Sequence, residues 1–194
     1  MEKFGDDTAL LLVDIQNDFC GGGALSVAGA EEIVAVVNRL IPWFRHVFAT
    51  QDWHPADHCS FRTQGGPWPV HCMQNTRGAE LHPRLELPKT TGYFRKASAR
   101  DSDSYSEFAG IDGHGRGLDE ALRSLGIRTL YLAGLATDYC VRATVLDARK
   151  LGYRVYAVVD AMRAVELNPG DGETALNEMR NAGVNLVVSR DVPR

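Results

Sequence analysis

No stretch of this chain approaches the ~18 consecutive apolar residues that a membrane-spanning helix requires, and residues Met1 to Asp7 hold no apolar signal core. A soluble, cytoplasmic protein without a membrane partner is expected. There is no excess of basic residues either. Lys and Arg number 21 against 25 Asp and Glu, a formal charge of −4, and they are scattered rather than gathered on one segment. Nucleic-acid recognition usually needs a basic face, so a small-molecule ligand is favoured. Cysteine is sparse: Cys20, Cys59, Cys72 and Cys140 include no Cys-x-x-Cys pair, which reads as free thiols in a reducing compartment rather than a disulfide framework. Repeats, low-complexity tracts and linkers are also missing, so residues 1–194 are expected to form one domain, long enough for a full hydrophobic core.

What is present is an alternation. Ala9 to Val13 is a continuously apolar run ending at Asp14, the signature of a strand buried on both faces. Comparable segments follow at His46–Thr50, Gly92–Arg95, Thr129–Ala133, Arg154–Val159 and Asn185–Val188. Between them, apolar residues recur at helical spacing: Ile33, Val37, Leu40, Ile41 and Phe44; Leu118, Leu122 and Leu125; Val141, Val145, Ala148 and Leu151; Leu176 and Met179. Gly126, Gly152 and Gly183 are expected to stop three of these helices. Strand and helix alternating with short polar links predict a parallel sheet covered by helices on both faces, a three-layer αβα, Rossmann-like domain. The long irregular stretches, about 51–78 and 96–116, should border the site.

Metal-ligand chemistry is concentrated in the first of them. Asp52, His54, His58 and His71 lie within Gln51-Asp-Trp-His-Pro-Ala-Asp-His58 and Gly65-Gly-Pro-Trp-Pro-Val-His71. In extended chain, residues i and i+2 point to one side, so Asp52 and His54 can converge on one ion, and a Gly/Pro-rich loop can bring His71 to it. A carboxylate with imidazoles suits Zn²⁺, Fe²⁺ or Mn²⁺. On spacing alone, these residues could also merely decorate exposed turns.

In parallel sheets, ligands bind outside the carboxyl ends of the strands, where strand order reverses. Asp14 closes the first segment, Asp52 and His54 follow the second, Lys96 the third, and Cys140 comes shortly after the fourth. In Gly134-Leu-Ala-Thr-Asp-Tyr-Cys140, Thr137 or Asp138 is positioned to cap a helix whose first turn carries the sulfur. There the helix N–H groups, with a nearby ammonium such as Lys96, would favour thiolate. Cys140 could equally be a small core residue, Asp14 a turn cap and Lys96 a surface charge. Together, the three would make a nucleophile with a general base and acid.

Asp14-Ile-Gln-Asn-Asp-Phe19, Gln51-Asp-Trp-His-Pro55, Gly65-Gly-Pro-Trp-Pro-Val-His-Cys72, Lys96 and Gly134-Leu-Ala-Thr-Asp-Tyr-Cys-Val141 together resemble the metal-binding nicotinamidase branch of the isochorismatase-like cysteine hydrolases. The resemblance implies a six-stranded parallel sheet, a triad of Asp14, Lys96 and Cys140, and one divalent metal, zinc by preference, on Asp52, His54 and His71. For His58 it leaves open a metal contact, a contact to metal-bound water, or neither. It places Phe19 and Trp68 in an aromatic pocket with Tyr105 at its edge, where plain core packing is the competing role for the first two. It assigns the oxyanion site to the backbone N–H groups of Ala136 and Cys140, with a cis peptide joining Leu135 to Ala136. The implied reaction is hydrolysis of nicotinamide, and of the related pyrazinamide, through a cysteine thioester, in NAD salvage. The pyridine nitrogen would rest on the metal. Ala97 stands where relatives commonly have Gly, a departure that bears on the 97–104 loop. Another carboxamide, a carbamoyl compound or an isochorismate-like ether is the competing substrate class, and a metal-binding domain without catalysis the competing non-enzyme.

Overall fold

The computed structural model describes residues 4–192. Its elements, in chain order, are β1 (Thr8–Val13), α1 (Ala30–Leu40), β2 (His46–Asp52), β3 (Gly92–Lys96), α2 (Leu118–Ser124), β4 (Thr129–Leu135), α3 (Arg142–Lys150), β5 (Arg154–Arg163), α4 (Asp171–Asn181) and β6 (Asn185–Val187). The six strands form one all-parallel sheet in the order β3-β2-β1-β4-β5-β6. Among the described residues, no helix is long and apolar enough to cross a membrane.

β1 is buried along its whole length because both faces are covered. Leu10 and Leu12 pack with Ile33, Val34 and Val37 of α1. Ala9, Leu11 and Val13, pointing the other way, pack with Leu118 and Leu122 of α2, Val145 and Ala148 of α3, and Met179 of α4. One strand thus nucleates two cores, which is the three-layer arrangement expected of the apolar runs.

α2, α3 and α4 end alike. Gly126, Gly152 and Gly183 take left-handed φ values of 72°, 92° and 78°, and the N–H of the next residue returns to the helix: Ile127 to Leu122 O, Tyr153 to Ala148 O and Val184 to Met179 O. In each case the two residues so joined belong to the same core cluster, so hydrogen bond and packing agree on where the chain turns. α1 ends differently and earlier than its apolar pattern. Leu40 is its last residue, and Ile41–Trp43 form a 3₁₀ turn containing Pro42, which cannot donate to a continuing α-helix.

Strand order reverses between β1 and β4, which pair with each other while their other neighbours lie on opposite sides. Gly134, with φ 134°, sits at this junction, and a Cβ there would lie 2.0 Å from Val13 O. Only glycine lets β4 run this close to the end of β1, directly before the segment that carries Cys140. β5 extends to Arg163 and shifts its register against β4 between Leu132 and Gly134.

Candidate active site

The carboxyl ends of β1, β2, β3 and β4 deliver Asp14, Asp52, Lys96 and the 135–141 segment to one place. Asp14 follows β1 with a left-handed φ of 46° and no exposed surface. Thr50 fixes it: the Asp14 N–H donates to Thr50 Oγ1 at 3.2 Å, and that hydroxyl lies 3.0 Å from Asp14 Oδ1. Gln16 fixes the end of β2. Its Nε2 donates to Asp52 O (2.8 Å) and Ala79 O (2.9 Å), and its Oε1 accepts from the Asp52 N–H (2.9 Å).

Lys96 closes β3 and is 1% exposed. Its ammonium donates to Asp14 Oδ2 at 2.6 Å and Asp52 Oδ1 at 2.5 Å, and lies 3.1 Å from Glu107 Oε1. Burial alone would discharge this lysine, but Asp14 and Asp52, then Cys140 and Glu107, outweigh it and hold the ammonium well above the ordinary lysine range. Asp52 shows the counterpart effect. Burial works against its charge, while Lys96 and His54 hold the carboxyl well below the usual carboxylate range.

Cys140 departs from the expected local structure. Residues Thr137–Val141 form one π turn before α3, not the first turn of an α-helix, and neither Thr137 nor Asp138 caps it with its side chain. The turn is wide because both Tyr139 and Val141 donate to Ala136 O. Asp138 instead accepts from the N–H groups of Val165 (2.9 Å) and Glu166 (3.0 Å), tying the turn to the segment beyond β5. The peptide joining Leu135 to Ala136 is cis, in line with the resemblance. The thiolate expectation also needs correction. Burial pushes the Cys140 thiol well above its ordinary value; Lys96 opposes this, but Asp14, Asp52 and Glu107 reinforce it. A thiol held neutral in this way would have to lose its proton to act as a nucleophile. A carboxylate oxygen of Asp14, one of Asp52 and Cys140 Sγ lie within 4.8 Å of one another, so an acceptor is near.

The metal-ligand residues converge as well. Asp52, His54 and His71 are buried, with one donor atom of each within 4.8 Å of the others. Asp52 Oδ2 lies 3.6 Å from His54 Nε2 and 4.0 Å from His71 Nε2. Two ligands each ~2.1 Å from one ion are at most ~4.2 Å apart, so both separations suit a shared cation. The ring orientations fit too. His54 Nδ1 lies 3.3 Å from Ala97 O and His71 Nδ1 lies 2.8 Å from Pro69 O. Since a carbonyl only accepts, a proton on Nδ1 would serve both contacts and leave each Nε2 free to offer its lone pair to a cation shared with Asp52, the orientation that metal-binding histidines are given by their neighbours. Burial pushes His71 below the ordinary histidine value, which favours the neutral, ligating form.

His58 is not part of this set. Its Nε2 lies 3.1 Å from Ser102 O and its Nδ1 2.7 Å from Ser60 Oγ, so both ring nitrogens are engaged within the protein. It stacks on His54 at 4.2 Å between ring centroids and so buttresses that ring. Phe61, which its sequence context did not single out, packs edge-on to His54, His58 and His71 at 5.5, 5.8 and 5.6 Å.

The three expected pocket aromatics come together only in part. Trp68 Nε1 donates to Tyr105 Oη at 3.0 Å, and both rings pack edge-on against Tyr139, at 5.0 and 5.3 Å. Phe19 instead stands beside His71, 5.7 Å away. Tyr139 was missed for lack of any signal beyond its place before Cys140. Glu107 was missed too. It is completely buried, and its N–H donates to Thr144 Oγ1 (3.0 Å), whose hydroxyl donates in turn to Cys140 O (2.7 Å).

A buried thiol set beside an aspartate–lysine pair, at the switch point of a parallel αβα sheet, defines a cysteine hydrolase of this fold class. Residues 8–191 match the Isochorismatase domain family, and the chain belongs to it. The chain is 45% identical to the nicotinamidase of Escherichia coli (strain K12), with 94% of this chain and 95% of that one covered. Among solved structures it is similar to the pyrazinamidase of Pyrococcus horikoshii in complex with zinc (TM-score 0.86, 44% identity, 94% and 99% covered). It is also similar to PnC1 from L. infantum in complex with nicotinate (TM-score 0.89, 37% identity, 98% and 96% covered).

Proposed function

We propose that this chain hydrolyses nicotinamide to nicotinate and ammonia, and accepts pyrazinamide as a close isostere. The observation that carries this reading is that one sheet edge holds both a thiol–aspartate–lysine cluster and, sharing Asp52 with it, an Asp-His-His set oriented for a cation. The first group does amide chemistry. The second gives a reason for a heteroaromatic amide, because a divalent ion, zinc in our reading, would supply a Lewis-acid anchor for a ring nitrogen.

Asp14 takes the thiol proton as Cys140 Sγ bonds to the carboxamide carbon. The backbone N–H groups of Ala136 and Cys140 stabilise the resulting oxyanion. Asp14 returns the proton to the nitrogen as the carbon–nitrogen bond breaks, and ammonia leaves behind a thioester. Asp14 then takes a proton from water, whose oxygen attacks the thioester carbon, and Cys140 Sγ leaves and is reprotonated as nicotinate forms. Lys96 remains an ammonium throughout and keeps Asp14 oriented between these transfers. Trp68, Tyr105 and Tyr139 wall the ring, and Phe19 backs the His71 side. Free nicotinate feeds NAD salvage, and the four free cysteines accord with a cytoplasmic setting.

Ammonia release from nicotinamide by the purified protein, with Cys140→Ala beside it, tests the reading. Turnover that disappears in the variant while its circular dichroism and bound metal persist supports it. A metal-replete wild type that releases no ammonia rejects the substrate.

A further inference from the structure

The two histidines of the metal-ligand set come from separate stretches of chain, and one residue joins them. Cys72, directly after His71, accepts the His54 N–H on its carbonyl at 3.0 Å. The chain then runs beside His54 as a parallel bridge at Met73, with the Gln74 N–H donating to His54 O at 2.8 Å. Between His71 and this bridge, Cys72 takes a left-handed φ of 44° and is completely buried. A non-glycine residue adopts that conformation rarely, and it persists where the surroundings over-determine it. The His54 N–H holds one side of Cys72. Asp18 holds the other: the Cys72 N–H donates to Asp18 Oδ2 at 2.7 Å.

Asp18 is fixed in turn. It lies in the 3₁₀ turn Asn17–Phe19, which docks on the turn Arg77–Ala79 through Asn17, whose N–H donates to Glu80 O (3.0 Å) and whose Nδ2 donates to Arg77 O (2.7 Å). The Asp18 carboxyl rests on Gly78, where a Cβ would stand 2.1 Å from Oδ2. Gly78 has no left-handed φ, so what its missing side chain provides is room for this carboxyl. Asp18 Oδ1 accepts the Ala24 N–H at 3.2 Å and so closes the loop that follows. Loop closure is the competing role, but it gives no account of the shorter bond from Oδ2 to a residue 54 positions away. The next residue of the same turn, Phe19, stands 5.7 Å from the His71 ring. We propose that Asp18 is a positioning residue of the metal site: by holding the N–H of the left-handed Cys72, it sets where His71 and, through the Cys72 carbonyl, His54 stand relative to Asp52.

This proposal rests on the cation reading of Asp52, His54 and His71, and its test needs no substrate. Zinc affinity of the full chain, read by competition with a chromophoric chelator, should fall about tenfold or more in Asp18→Ala, and no more than about threefold in Asp18→Asn, which keeps an acceptor oxygen for Cys72. Gly78→Ala leaves Asp18 in place but drives its carboxyl off Cys72, so it should match Asp18→Ala. Added to Asp18→Ala it should cost nothing further, because both changes remove the same contact. The visible absorption of the cobalt(II)-loaded protein, which reports ligand arrangement, should change in Asp18→Ala and stay as in wild type in Asp18→Asn. A role limited to loop closure would lower the melting temperature while zinc affinity and the cobalt spectrum stayed as in wild type, and that result overturns the proposal. Losses that multiply in the double variant overturn it too. If Asp18→Ala does not fold, Gly78→Ala decides, and an affinity within about twofold of wild type there is fatal. Wild type that binds no zinc overturns this proposal and the cation reading together. Wild type that binds zinc but releases no ammonia from nicotinamide refutes the substrate alone, with the zinc series still deciding the role of Asp18.

Discussion

Lys96→Met is the most informative single change in this molecule. The methionine fills the lysine's space in a site that is 1% exposed, but it leaves Asp14 and Asp52 without the ammonium they meet at 2.6 and 2.5 Å. At an effective dielectric constant near 20, each contact represents roughly 6 kcal/mol of gross attraction. The measured net cost of breaking a buried pair by removing one partner is about 3–5 kcal/mol, because the other partner's charge is left uncompensated. In a chain of this size, each kcal/mol shifts Tm by roughly 2–4 °C, so a drop of about 6–20 °C is expected at pH 7. The pH dependence supplies the sharper test. In the wild type, Lys96 helps hold Asp52 below its ordinary value, so this contribution to stability is present above about pH 4 and lost as pH falls through the depressed folded value. In the variant that support is gone, and burial raises Asp52 above its unfolded value. The folded state then takes up a proton more readily than the unfolded state and gains stability as pH falls. The difference in Tm between wild type and Lys96→Met should therefore shrink steadily from pH 8 to pH 5. Thermal melts followed by circular dichroism, on chelator-treated protein so that bound metal does not compete for Asp52, measure it. A difference below about 2 °C at pH 7, or one unaffected by pH, would refute the account of this cluster.

Three further expectations follow from the same geometry. Ala97 holds a left-handed φ of 52°, which costs a non-glycine residue roughly 1–2 kcal/mol; against glycine's extra folding entropy of about 0.5–1 kcal/mol, Ala97→Gly should stabilise by up to ~1 kcal/mol in urea unfolding, and a clear destabilisation contradicts this. Gln16→Leu removes two hydrogen bonds to the Asp52 backbone and one to Ala79 O and should weaken metal binding by about 10-fold or more in titration calorimetry; unchanged affinity would mean that β2 alone positions the ligand. In chelator-treated protein, iodoacetamide labelling of Cys140, followed on its peptide by mass spectrometry, should be slow at pH 7 and still rising beyond pH 9, because burial holds the thiol neutral; a plateau below pH 8 would restore the thiolate picture.

Much of this was legible in one dimension. The apolar runs marked the strands, and the glycines after α2, α3 and α4 marked their ends, because backbone geometry and two-sided burial leave local traces in residue order. Asp14, Asp52 and Lys96 could be aligned because each terminates such a run, and Asp52 with His54 because i and i+2 share a side of an extended chain. The apolar period of α1 was less informative about its end: Pro42 converted the last turn although Ile41 and Phe44 stay buried.

What the chain alone determined about this protein is therefore the class of fold and the identity of the chemical groups. Only the tertiary structure decided how those groups behave. The strand order set Asp14 between β2 and β4 neighbours. A wide turn anchored on Ala136 O, rather than an α-helical cap, aimed Cys140. Ser60 and Ser102 engage both ring nitrogens of His58, and a 3₁₀ turn far along the chain drove Glu107 into the charge cluster. Propensity and periodicity are sums over near neighbours. Proton affinity and ligand orientation depend on which distant charges and donors surround a group once water has been excluded, and that information exists only after the strands have paired.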